Sequence, residues 1–384
     1  MADVYLYDAV RTPRGKARPD GGLAALSPQE LVRQQAAALT ARCGDFEPEA
    51  LILGCVTQSG AQGGHIAMLA KLHAGLPDAC AAHSLNNYCA SGLSAIGQAA
   101  AKIASGEIGV ALAGGVESMS AAPFLGDRAG FYTNDDLPPR ARFVPPVLAA
   151  DRLANSEGIT RAELDAVALA SQQKAAAAEH DPTLQASRIA TGALTGEECI
   201  RPQTTAETLA AAPPAFGALQ AQYASALDGA TFAPLHAVAH APPICDGAGL
   251  ALVGGEGLGP KPRARVIAFA ESGGDPAASL TAGFAAMDKL LARAGLSLAD
   301  MDRIEFMEAF AVTIAKFLRD RDADLARVNV GGGHLAKGHP MGASGAILTS
   351  SLLDALDACA GRYGLVVLTG AMGVGAAMLV ERLP

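Results

Sequence analysis

The stretch "CASGLSAIGQAAAKIASGEIGVALAGG", residues 89 to 115, opens on a cysteine and runs through apolar residues at helical spacing. It stops at Gly106 and resumes as a continuous apolar strand that ends in two glycines. Residues 342 to 371, "GASGAILTSSLLDALDACAGRYGLVVLTGA", repeat that order: a small residue, Ala-Ser-Gly, a helix, a glycine, a buried strand, a glycine. The interval from Cys89 to Gly114 is 25 residues and that from Gly342 to Gly370 is 28, so one supersecondary unit is used twice. Two copies about 250 residues apart predict a duplicated α/β domain rather than a solenoid, whose period is short.

The flanking sequence extends the pattern. Residues 2 to 10 and 51 to 56 read as short buried strands, and "SPQELVRQQAAALTARCG" between them as a helix capped by Ser27. From 119 to 245 the pattern gives way to proline-rich and polar segments, which are loop signals. They enclose one clear helix, "TRAELDAVALASQQKAAAAEH", with Thr160 and Glu163 spaced for a capping box. The expected organisation is an N-terminal domain over 1–118 completed by about 246–262, an inserted loop or lid domain over 119–245, and a C-terminal domain over 263–384. An insertion of that length points to a functional segment.

The totals exclude several function classes. Half of the 384 residues are apolar, glycine is abundant and tryptophan is absent, which suits helices packed closely on sheets. The formal net charge is -9 with scattered lysines and arginines, so a nucleic-acid partner lacks its electrostatic footprint. No uncharged apolar run reaches the ~18 residues of a membrane span, and "MADVYLYDAVRTPRGK" lacks the features of a signal peptide; a cytoplasmic protein is expected. Seven cysteines without a CxxC pair predict reduced thiols, no disulfide framework and no metal site. Dinucleotide, P-loop and GxSxG motifs are missing from the sequence.

Cys89 is the cysteine placed for chemistry. It stands where a helix N-terminus would supply free N–H donors and partial positive charge, an environment that favours the thiolate. A nucleophile also needs a base, and "GGGHLAKGHPMGASGA", residues 331 to 346, offers His339 just before the helix of the second copy. If the two copies pack about a pseudo-twofold axis, His339 comes toward Cys89 as a Cys/His pair; a solvated loop histidine is the alternative. His334 and Lys337 are candidates for the surrounding shell.

With these residues assembled, the chain resembles the thiolase superfamily almost end to end. The likeness rests on "VRTPRGK" at 10–16, "AGLP" at 74–77, "NNYCASGLSAI" at 86–96, "LAGGVESMS" at 112–120, "GITRAELDAVALASQQKAA" at 158–176, "MEAFAV" at 307–312 and "GHPMGASGA" at 338–346. The resemblance implies a five-layered αβαβα fold of two similar domains with an inserted loop domain. It also implies a homodimer or homotetramer, and acyl transfer from coenzyme A thioesters with no permanently bound cofactor. Cys89 would carry the acyl group, His339 would activate it, and the turn holding Ala371 and Gly373 would help bind the oxyanion. Glu308 and His334 would support these groups.

The sequence departs from the family where the carbon–carbon step is concerned. Met307 stands where an asparagine is expected to fix a water, and a thioether cannot do what an amide does. Thr369 stands where a second cysteine acts as base, so condensation is expected to be impaired unless His334 or a substrate group replaces it. "PVLAAD" at 146–151 and Pro242 also replace family residues near the acyl and coenzyme A groups. A non-catalytic acyl-CoA-binding or assembly subunit of the same fold is the alternative function.

Overall fold

The computed structural model describes residues 2–384. Its strands are β1 Tyr5–Arg11, β2 Gly15–Lys16, β3 Ala50–Gly54, β4 Ala81–Leu85, β5 Val110–Glu117, β6 Cys245–Gly254, β7 Ala264–Gly273, β8 Arg303–Phe306, β9 Tyr363–Thr369 and β10 Val374–Arg382. The helices are α1 Pro28–Cys43, α2 Ile66–His73, α3 Ser91–Ala104, α4 Pro146–Glu157, α5 Arg161–Ala178, α6 Ala206–Ala211, α7 Leu219–Gln222, α8 Ala282–Ala294, α9 Ala311–Arg321, α10 His334–Lys337 and α11 Ser344–Cys359. This is the mixed α/β architecture expected.

The strands run in the order β4-β3-β5-β6-β1-β7-β10-β9-β8, with β2 pairing to β6 off the path. β3 is parallel to both β4 and β5, and β8 is parallel to β9, whereas β5–β6, β1–β6, β7–β10 and β9–β10 are antiparallel. The two halves meet between β1 and β7 through only two residue pairs, Tyr5 with Arg265 and Leu6 with Ala264. They are two lobes of one ten-stranded sheet, joined at a narrow waist.

Period-two alternation sorts the first half's side chains between two cores. Leu51, Leu53, Leu112, Leu250 and Leu252 pack with α1 and α2 on the outer face. Ala50, Ile52, Ala111, Ala113, Ala251 and Val253 face the interior core that holds α3, α8 and α11. α3 and α11, the helices of the two sequence copies, pack against each other, and α8 covers β7 and β10.

Small residues make that central contact possible. A Cβ on Gly92 would meet the carbonyl oxygen of Gly342 at 2.6 Å, and one on Gly345 would meet the backbone nitrogen of Leu93 at 2.2 Å. Gly115 on β5 is as tight, 2.2 Å from the same Gly342 oxygen. Gly115 at the strand end and the glycines of the two Ala-Ser-Gly copies are therefore seats for the other half's backbone.

The segment from 119 to 245 holds more regular structure than its composition predicted. The capping box forms, with Glu163 N–H donating to Thr160 Oγ1 and Thr160 N–H to Glu163 Oε2. α4 was not foreseen. Its signals are Pro146 in the first turn and Gly158 in the left-handed conformation at the end, and the surrounding prolines hid them. Residues 146–151, expected as a loop stretch, are its first turns. No helix among the described residues is long and apolar enough to cross a membrane.

Candidate active site

Cys89 sits on the turn between β4 and α3. Tyr88 before it is left-handed at φ 45°, a conformation unfavourable for a bulky residue and held here by its neighbours. Tyr88 N–H donates to Asn86 Oδ1, Ser91 Oγ donates to the Tyr88 carbonyl at 2.6 Å, and Asn87 N–H donates to Ser91 Oγ. α3 proper begins at Ser91. These bonds aim the half-buried thiol toward the second copy.

His339 lies between α10 and α11, anchored by its backbone N–H on the Pro243 carbonyl at 2.9 Å. Its Nε2 is 3.1 Å from Cys89 Sγ, and its Nδ1 is 2.7 Å from Ser344 Oγ. The pair expected from the repeat is in contact, and the solvated-loop alternative falls. Ser91 and Ser344 occupy the same place in the two Ala-Ser-Gly copies; one shapes the cysteine turn and the other holds the imidazole. Ser344 was not singled out from sequence, although the repeat carried the signal.

The turn after β9 closes the site. Gly370 lies against Cys89, where a Cβ would come 3.2 Å from that of the cysteine. The backbone N–H groups of Ala371 and of Cys89 itself face Sγ and stabilise negative charge there. Gly373, on the same turn, accepts Gly274 N–H at its carbonyl at 2.8 Å. Thr369 is wholly buried on β9, and its Oγ1 has no hydrogen-bond partner among the described residues. Met307 is buried and forms part of the cleft wall.

Electrostatics correct one expectation. The helix N-terminus was expected to favour the thiolate, but burial outweighs it and pushes the Cys89 thiol up to about 12; the Glu117 charge adds to the rise. Burial, with the Arg14 charge behind it, pushes the His339 imidazole down to about 3. Both shifts run toward the neutral thiol and the neutral imidazole and away from the ion pair.

Glu117, on β5, bridges the two halves. Its carboxylate accepts from the N–H groups of Val56, Thr57 and Gly342 and from Gln62 Nε2, at 2.9 to 3.0 Å. Glu308 accepts from Ser171 Oγ, Asn329 Nδ2 and Leu335 N–H, and so fixes α10 just ahead of His339. His334 is not placed as a substitute base. It is fully buried, packs edge-to-face on His339 with ring centroids 5.1 Å apart, and is absent from the cleft wall.

The Cys89–His339 pair opens onto a cleft of about 1060 Å³. Met119, Met307 and Met341 line it near the cysteine, and Lys16, Arg18 and Arg201 give part of its wall positive charge. The segment from 119 to 245 supplies another part, including Pro145, Phe216, Tyr223 and Pro242. Sulfur and hydrocarbon around a nucleophile, with cations on the same cleft, suit an apolar group carried on an anionic handle. No cluster of metal-ligating side chains occurs among the described residues.

Comparison with known proteins agrees with this geometry. Residues 4–253 match the family model of the thiolase N-terminal domain and residues 260–382 that of the thiolase C-terminal domain. A beta-ketoadipyl-CoA thiolase of Pseudomonas putida is 35% identical over 100% of both chains. A 3-ketoacyl-CoA thiolase of Colwellia psychrerythraea is 34% identical, also over 100% of both. An acetyl-CoA acetyltransferase of Bacillus anthracis has the same fold, with a TM-score of 0.86 at 28% identity over 100% of this chain and 99% of its own. A cysteine and a histidine brought together by duplicated halves, within a match running the length of both domains, place this chain in the thiolase family, to which it belongs.

Proposed function

We propose that the protein is an acyltransferase that takes an acyl group from a coenzyme A thioester onto Cys89. The observation that carries this reading is the 3.1 Å contact between Cys89 Sγ and His339 Nε2. With Nδ1–H donated to Ser344, Nε2 presents its lone pair to the thiol. As Sγ attacks the thioester carbonyl, its proton passes to Nε2. The carbonyl oxygen, turning into an oxyanion, is received by the N–H groups of Cys89 and Ala371. The bond to coenzyme A then breaks, and the departing thiolate takes the proton back from His339. A Cys89 thioester remains, and no resident cofactor or metal enters.

The relatives whose names specify 3-ketoacyl and beta-ketoadipyl thioesters support a 3-oxoacyl-CoA as donor: there Sγ adds to the 3-oxo carbon, the C2–C3 bond breaks, C2 takes up a proton and leaves as acetyl-CoA, and the thiol of a second coenzyme A then removes the acyl group from Cys89. The cations of the cleft fit the phosphates of coenzyme A. The carbon–carbon step needs a proton delivered to the α-carbon in cleavage and removed from it in condensation, and Thr369 offers a buried hydroxyl where the resemblance leads one to expect a thiol. Loss of a positioned acid or base costs typically 10²–10⁴ in rate, so the carbon–carbon step is slow in both directions relative to acylation by a simple acyl-CoA. The expected assembly is a homodimer or homotetramer in the cytoplasm.

The test is intact mass after incubation with a panel of acyl-CoAs, beside Cys89→Ala. An adduct that the variant lacks establishes the acyl-enzyme and ranks the acyl groups. Folded protein that takes no acyl group from any donor would move the function to a binding or assembly subunit.

A further inference from the structure

The Cys89 turn is tied to the C-terminal half by a side chain that lies outside the cleft. Glu271, on β7, is exposed and absent from the cleft wall. Its Oε1 accepts from Asn87 Nδ2 at 3.1 Å and from Ser94 Oγ, and Asn87 Nδ2 also donates to Ser94 Oγ at 3.0 Å. The three side chains close a triangle between Asn87, two residues before the nucleophile, Ser94 at the end of the first turn of α3, and a strand of the other half. A carboxylate that takes two neutral donors makes charge-assisted bonds, which hold geometry more firmly than neutral ones.

The backbone carries this tie to the thiol. Asn87 N–H donates to Ser91 Oγ at 2.8 Å, the Asn87 carbonyl accepts from Ala90 N–H at 3.1 Å, and Ser91 closes on the Tyr88 carbonyl through its N–H at 3.0 Å and its hydroxyl at 2.6 Å. These bonds enclose Cys89, so a displacement of Asn87 reaches both Sγ and the Cys89 N–H. The register of helix on strand is set one turn further along. Ser94 and Gly97 share a face of α3, Glu271 and Phe269 share a face of β7, and a Cβ on Gly97 would meet Phe269 Cε1 at 2.3 Å. The apolar contact seats the helix, and the polar one lies at the end nearer the nucleophile.

We propose that Glu271 is a positioning residue that fixes the Cys89 turn against the half carrying His339 and Ala371. This rests on Cys89 being the acyl carrier. Acylation needs Sγ and the Cys89 N–H, both on the turn, in register with the Ala371 N–H of the other half, because the thioester carbonyl meets all three at once. Glu271 touches none of them and acts through Asn87 and Ser94. Both of its bonds to these side chains run through Oε1, so what the site uses is an acceptor oxygen at that place.

The experiment compares two reactions of Cys89 on the full chain, read by intact mass. One is acylation by the best acyl-CoA at varied concentration; the other is alkylation by iodoacetamide at pH 9, which uses neither N–H group. Because a misplacement of about 1 Å costs about a hundredfold, Glu271→Ala should lower the maximal acylation rate by about tenfold to a hundredfold, with the half-saturating acyl-CoA concentration within about twofold and alkylation within about threefold of wild type. Glu271→Gln keeps the acceptor oxygen and should bring acylation back to within about threefold of wild type. Asn87→Ala should slow acylation as far as Glu271→Ala does, and the double variant no further, since both remove one contact. Folded Glu271→Ala that acylates within about twofold of wild type overturns the proposal, and so does a loss of alkylation in step with acylation or a failure of glutamine to rescue. If the wild type alkylates but no acyl-CoA acylates it, the acyl-carrier reading has failed, and this proposal with it.

Discussion

Thr369→Val separates chemistry from packing at the position where the family resemblance leads one to expect a second cysteine. Thr369 is 0% exposed, its Oγ1 is unpartnered among the described residues, and the residue is absent from the cleft wall. A buried hydroxyl without a partner costs about 1–3 kcal/mol in lost hydration. Valine has nearly the same shape, so the exchange removes that cost without opening a cavity. The expected gain is about 1–2 kcal/mol, a factor of about 5–30 in the folded-to-unfolded ratio. Urea unfolding measures it, with Thr369→Ser, which keeps the hydroxyl and loses a methyl, as the variant expected to be less stable. Formation of the Cys89 acyl-enzyme should change by less than about threefold, far below the 10²–10⁴ of a lost acid or base. A valine variant less stable than wild type, or one that acylates a hundredfold more slowly, would show that the hydroxyl has a partner and a role, and would refute the reasoning.

Further outcomes follow from other buried groups. Asp354 accepts from Arg11, Ser187 and Arg263 at full burial, so Asp354→Ala should cost about 3–5 kcal/mol in urea unfolding by stranding Arg11. Gly115→Ala drives a Cβ into the Gly342 carbonyl and should cost about 1–3 kcal/mol, slowing acylation as well because Gly342 adjoins the His339 turn. Burial lowers His240 to about 4, so below the unfolded value near 6.5 the unfolded chain binds the extra proton and stability falls with pH down to about 4. His240→Gln should flatten the slope of unfolding free energy against pH there by about 1.4 kcal/mol per unit.

Much of the fold and the centre of the site were legible because both are written in the repeat. The Ala-Ser-Gly copies gave α3, α11 and the strands after them, and the pseudo-twofold predicted the meeting of Cys89 with His339. Charge state was not legible. A cysteine before a helix reads as activated, whereas the degree of burial that reverses this depends on what the other half of the chain lays over it. His334 was open to the same misreading: beside glycines it resembles a loop residue, and only tertiary packing seals it. α4 was hidden because proline is both a breaker and a good first-turn residue, and composition alone does not tell these apart.

The glycine seam between α3, β5 and the turn at Gly342 bears on how finely the site is aligned. Where side chains mediate contact between two bodies, rotamers give slack and a small shift is absorbed. Here peptide rests on peptide, and peptides have no rotamers to yield. The nucleophile and its base come from bodies on either side of that joint, so their separation inherits the tolerance of covalent geometry itself. The joint works as a datum face in a machine: each half can drift in sequence elsewhere and still be returned to register. A methyl group added on the face itself displaces the reaction centre from a distance.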